Sequence, residues 1–194
     1  MKDRREFIKI AGAGVGSIIL ASGCSQDGGK WRFFTDEEAL VVEAITEQII
    51  PADEDAGARD ARVINYIDKQ LTGFSAKHQQ TYRRGITGLQ QTSMNLFGKN
   101  YELLEWDQQT AVLKKLEAGD AEGDIWKTDS SRNFFQLIRN HTMQGFYGSP
   151  RHGGNRRFVS FKMLRLDYPR IYGQNRYTVF PGTFSPPSLI KRRD

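Results

Sequence analysis

The residues able to do chemistry are few. The chain holds three histidines, His78, His141 and His152, and one cysteine, Cys24. A histidine beside a carboxylate can move protons, and histidines or thiolates at close spacing can hold a metal. Here the histidines are widely separated, and none sits in an H-x-x-x-H or H-E-x-x-H frame. One cysteine excludes an intramolecular disulfide, a cysteine-only iron–sulfur site and the C-x-x-C-H haem attachment. No G-x-G-x-x-G and no P-loop lysine motif is present. One catalytic arrangement is left: an acid–base pair of His141 or His152 with a nearby carboxylate, as a hydrolase would use.

The N-terminus carries a different kind of signal. Arg4 and Arg5 are followed by Phe7 and Lys9, then by an apolar, glycine-bearing stretch. This pattern matches a twin-arginine export leader, in which a cationic head stays on the cytoplasmic face and a weakly apolar segment engages the export machinery. The apolar run over residues 10–23 is 14 residues long, against about 20 for a membrane span. Cys24 follows Ala21, Ser22 and Gly23, a setting close to a lipobox. It is either acylated there, anchoring the chain, or left as a free thiol by cleavage near Ala21. Such a leader places the protein in the periplasm of a Gram-negative bacterium, exported folded and associated with a membrane.

The full chain of 194 residues has a formal charge of +5. No helix gathers Lys and Arg with interleaved aromatics, so nucleic acid is not an expected partner. The expected organisation is a signal peptide at 1–23, the cysteine and a flexible tether at 24–34, a helical domain at 35–169, and an extended or disordered tail at 170–194.

The periodicity of that domain is helical up to Gly145, giving a mainly α fold: one compact domain of five to six helices with a Gly-rich loop and an irregular tail. Thr35 and Glu38 form a capping box ahead of Leu40, Val41, Ala44, Ile45 and Ile49, and Pro51 stops that helix. Further helices are predicted over 60–71, over 75–97, from Asp107 as N-cap to Gly119 as C-cap, from Ser130 to Met143, and over 158–166. Gly85 and Gly88 weaken the third by about 1 kcal/mol each relative to alanine, and they predict a tight helix contact in which another backbone approaches closely. Residues 145–155, rich in glycine and aromatics, read as a loop.

Specific stretches resemble the small-subunit family of gluconate 2-dehydrogenase, subunit 3. They are Ile49, Ile50, Pro51, Ala52 and Asp53 with Gly57 and Ala58, the helix over 63–71, and above all Phe146-Tyr147-Gly148-Ser149-Pro150 leading to Gly153-Gly154-Asn155. Phe161 stands where that family has Trp, and Arg165 where it commonly has Gly. The resemblance implies a small subunit with no cofactor of its own. It implies an FAD-dependent partner of the glucose–methanol–choline type, and a multi-haem cytochrome c as a third subunit. It also implies that this chain supplies the leader that exports the folded flavoprotein. Phe146, Tyr147, Arg151, Gly153, Gly154, Asn155 and Phe158 are then candidate partner contacts, with Arg156 and Arg157 as charged rim. Phe146 and Tyr147 read equally well as core residues of their own domain.

Overall fold

The computed structural model describes residues 30–166, together with 171–172 and 176–177. Among them are six α-helices: α1 (Asp36–Ile49), α2 (Val63–Leu71), α3 (Gln79–Phe97), α4 (Trp106–Ala118), α5 (Ser131–Tyr147) and α6 (Val159–Met163). Short 3-10 turns link them. Ile171–Tyr172 and Arg176–Tyr177 form a minimal antiparallel ladder, Ile171 opposite Tyr177. The rest of the tail, Arg4, Arg5, Phe7 and Lys9 of the expected leader, and Cys24 lie outside the described residues. No helix among the described residues is long and apolar enough to cross a membrane.

The helix ends follow local chemistry. Thr35 Oγ1 accepts from the Glu38 N–H at 3.2 Å, and Glu38 Oε2 accepts from the Thr35 N–H at 3.0 Å. The capping box is therefore complete and satisfies two otherwise orphaned donors. Gly119 closes α4 at φ 83°, its N–H reaching the Lys115 and Leu116 carbonyls. Predicted starts shift: α3, expected from residue 75, begins at Gln79 after a 3-10 turn over Ala76–His78. The N-cap of α4 is Glu105, not Asp107, because Gln108 Oε1 accepts the Glu105 N–H at 3.2 Å and fixes the chain direction two residues earlier. The second helix begins at Val63, not near residue 60. Residues 58–62 form a turn that ends in Arg62 at φ 55°, ψ 44°, a left-handed residue that cannot continue a right-handed helix.

α5 is the central element, packing along α2 and α4 and touching α1 and α3. Val42, Ile45, Ile67, Leu89, Leu116 and Ile138 are almost wholly buried in the shared core. Gly85 and Gly88 mark a close approach, but by aromatic rings rather than by the expected backbone. A Cβ on Gly85 would overlap the Phe134 ring, with Cγ at 2.5 Å, and one on Gly88 would lie 2.5 Å from Trp126 Cζ2. Trp126 is held there by its Nε1–H donating to Thr92 Oγ1 at 2.9 Å.

The segment ahead of α1 is part of the body. Asp68 on α2, 4% exposed, accepts the backbone N–H groups of Arg32 (2.9 Å), Phe33 (2.9 Å) and Phe34 (3.2 Å). Arg83 completes the clamp: its guanidinium lies 4.3 Å from the Phe33 ring centroid, donates to the Phe33 carbonyl at 2.6 Å and pairs with Glu38. Residues 31–34 therefore pack on the domain, and the tether expected over 24–34 is shorter by that much. Hydrogen bonds to a charged group contribute about 1.5–3 kcal/mol, and removing it leaves its donors unpaired. Asp68→Ala is expected to lower unfolding free energy by about 3 kcal/mol and to open the chain near Trp31 to protease. A variant as stable and as protease-resistant as wild type would remove this assignment.

Candidate functional site

The glycine–aromatic stretch is built around two backbones in contact. α5 continues two residues past Gly145, so Phe146 and Tyr147 are helical and the predicted loop starts later, at Gly148. The glycine does not end the helix because it is needed where α5 crosses α2: a Cβ there would lie 3.1 Å from both Tyr66 and Val63 side chains. On its other side comes Gly154, whose Cβ would overlap the Gly145 carbonyl oxygen and lie 2.8 Å from the carbonyl carbon. Gly153, at φ 111°, passes beside the Asn65 carbonyl, 3.0 Å from where its own Cβ would be.

Asn155 ties this crossing together. It is wholly buried and left-handed (φ 44°, ψ 43°), a conformation asparagine adopts more readily than most residues. Its Nδ2 donates to the Gly148 carbonyl at 2.8 Å, and its Oδ1 accepts the Ser160 N–H at 3.0 Å. The next residue, Arg156, donates its N–H to the Ala61 carbonyl at 3.0 Å. One side chain and its neighbour thus link the end of α5, the start of α6 and the turn before α2.

The residues singled out from the sequence divide between the inside and the outside of this knot. Phe146 is fully buried in the chain's own core, and Gly154 and Asn155 are buried beside it. Phe146 therefore offers no side-chain surface to a partner, and its core role holds. Tyr147, 38% exposed, and Arg151 face outward. Phe158 is half-buried, its ring 6.0 Å from Phe161. Arg151 is held at both ends: Lys69 Nζ donates to its carbonyl at 2.9 Å, and its Nε donates to His152 Nε2 at 2.9 Å. Burial, then Arg151 and Lys69, push the His152 pKa below its ordinary value.

The outward face includes residues that the sequence reading passed over. Tyr66, Gln70, Met143, Tyr147 and His152 border a shallow hollow of about 320 Å³. The Tyr66 O–H donates to Gln144 Oε1 at 2.9 Å across it. Met143 is 43% exposed. Met143 and Tyr147 are four residues apart on one helix, which puts them on one face; that spacing was the available signal.

The histidines do not assemble an acid–base pair. His141 is 6% exposed, its ring stacked on Tyr82 at 5.8 Å. Its Nδ1 shares a 2.9 Å hydrogen bond with the Tyr82 phenol, which burial keeps protonated. Desolvation first, and His78 second, lower the His141 pKa to about 4. Among the described residues, neither His141 nor His152 has a carboxylate as hydrogen-bond or ion-pair partner, so the pair that the hydrolase reading requires is not formed. No group of three or more His, Cys, Asp or Glu among them is placed to hold a metal.

These features define a small, mainly α protein closed by a glycine–asparagine knot, with an aromatic and basic face beside it. A family model described as gluconate 2-dehydrogenase subunit 3 matches residues 36–167, from the first residue of α1 to just past α6. The chain belongs to that family. Neither a curated protein nor a solved structure matches it.

Proposed function

We propose that this protein is the accessory small subunit of a membrane-associated, FAD-dependent sugar or polyol dehydrogenase. It exports, helps to mature and anchors the flavoprotein. The observation that carries the reading is the family match over the whole helical body, since that family consists of subunits of gluconate 2-dehydrogenase. In this reading FAD sits in a glucose–methanol–choline-type partner, and haem c in a third, cytochrome subunit. The work of this chain is export and docking. Arg4, Arg5, Phe7 and Lys9 direct the folded pair through the twin-arginine route to the periplasm. Acylated Cys24 then holds the complex to a membrane, each buried CH₂ contributing about 0.8 kcal/mol.

Two substitutions test export and anchoring separately. With Arg4→Lys and Arg5→Lys together, the flavin absorbance and dehydrogenase activity of the periplasmic fraction should collapse, and the flavoprotein should accumulate in the cytoplasm. With Cys24→Ala, the complex should still be exported but leave the membrane fraction. Periplasmic activity unchanged by the double lysine substitution would end the export reading. A wild-type chain that purifies from membranes without any flavoprotein would end the subunit reading.

A further inference from the structure

The turn before α2 and the segment after Asn155 meet over an open cleft of about 650 Å³. Its walls carry Arg59, Arg62, Arg156 and Arg157, against Glu43 and Asp60. Among the described residues, Arg59 is the one arginine of the cleft in an ion pair, with Glu43 Oε2 at 3.8 Å, near the limit for such a contact. Asp60 is engaged elsewhere, its Oδ2 accepting the Gly57 N–H at 3.1 Å. Among the described residues, Arg62, Arg156 and Arg157 form no ion pair. α2 begins at this cleft with no acidic residue in its first turn, so its positive end adds to the field.

The backbone holds two of these arginines in unusual conformations. Arg62 lies at φ 55° and Arg157 at φ 57°. Left-handed backbone is uncommon for residues with side chains and concentrates at functional positions. The bond from the Arg156 N–H to the Ala61 carbonyl fixes the two arginine-bearing segments to each other. The charges are thus mounted on a braced frame although their side chains are exposed or half-exposed.

We propose that this cleft docks an acidic segment of the dehydrogenase partner, which deepens the reading above and rests on it. Guanidinium groups pair with carboxylates in planar, two-bonded geometry, giving direction as well as charge. The mixed lining favours a protein over a lipid leaflet. Glu43 and Asp60 would be repelled by a uniformly anionic surface, whereas a protein segment can set its own cationic or donor groups against them. Complementary charge of this kind governs the rate and register of association.

The test uses the full chain co-produced with its flavoprotein and purified from membranes, with bound flavin per chain as readout. Arg156→Glu with Arg157→Glu should weaken retention of the flavoprotein by about tenfold, while Arg156→Lys with Arg157→Lys, which keeps the charge but not the two-bonded geometry, should fall between that variant and wild type. The melting temperature of each variant checks that the body still folds. Because charge carries the contact, the wild-type complex should also dissociate more readily as salt is raised. A wild type that carries flavoprotein, together with a folded double glutamate variant that carries as much, overturns the cleft proposal alone. A wild-type complex indifferent to salt does the same. A wild type that carries none overturns the subunit reading, and the cleft proposal with it. If the double glutamate variant keeps its flavoprotein but the complex loses preference for phosphatidylserine over phosphatidylcholine vesicles, the cleft reads lipid and the proposal fails.

Discussion

Replacing Gly154 with alanine should destabilise the protein by about 3 kcal/mol or more, at the severe end of single substitutions. The added methyl would overlap the Gly145 carbonyl oxygen and sit 2.8 Å from the carbonyl carbon and 3.0 Å from the Cα. All three atoms are backbone, so no side-chain rotation can make room. Either the strand of chain at 153–155 moves away or α5 does. Moving the chain breaks the Asn155 bonds to Gly148 and Ser160. Moving α5 opens its crossing with α2, where a methyl on Gly145 would already lie only 3.1 Å from Val63 and Tyr66. Gly73→Ala is the matched control. Its nearest atoms would lie at 3.6 and 3.9 Å, ordinary contact distances, and its effect should stay within about 0.5 kcal/mol. Urea unfolding midpoints of the two variants measure the contrast. Equal midpoints would mean that the loop is not seated on α5 as described.

The second large effect is a pH dependence that originates at His141. Its folded pKa of about 4 lies below the ordinary 6.5 because the imidazolium would lose its water and face His78. Above pH 6.5 both folded and unfolded forms hold it neutral, and stability is full. As pH falls from 6.5 toward 4, the unfolded chain takes up a proton that the folded one excludes, so stability drops. The loss reaches about 3 kcal/mol near pH 4. Carboxylates titrate over part of the same range, so the comparison that isolates the imidazole is with His141→Gln, which still offers Tyr82 a hydrogen bond. The variant should start somewhat less stable at pH 7 and lose less on acidification. Parallel stability curves for the two proteins between pH 7 and pH 4 would show that His141 is not the source.

Features encoded within one turn of chain were legible. The Thr35–Glu38 box, the stop at Pro51 and the Gly119 cap depend on neighbours three or four residues away, and each is found where the residue types put it. Gly85 and Gly88 were readable as a close contact, though not as a contact with rings donated from 134 and 126. What could not be read depends on partners far along the chain or on conformations that no residue type announces. Arg62, Arg157 and Phe158 occupy left-handed backbone without being glycine or asparagine. Gly145 looked like punctuation, but it is a helix residue kept small by α2. Asp68 belongs to an apolar helix face, and only the fold brings it to the N–H groups of residues 32–34, more than thirty positions earlier. The candidate site shows the same division. The motif was visible as a motif, yet which of its members point inward depends on the crossing beneath it, and the arginines around the cleft come from segments about a hundred residues apart.

The grip of Asp68 on residues 32–34 has a mechanical meaning. Tension applied to the polypeptide upstream of Trp31 does not reach α1 first. It is shared by three hydrogen bonds on one carboxylate and by the hold of Arg83 on Phe33. Those bonds load α2, which is braced lengthwise by α5. A tug from the N-terminal side would therefore be resisted by the middle of the body before any helix began to unwind.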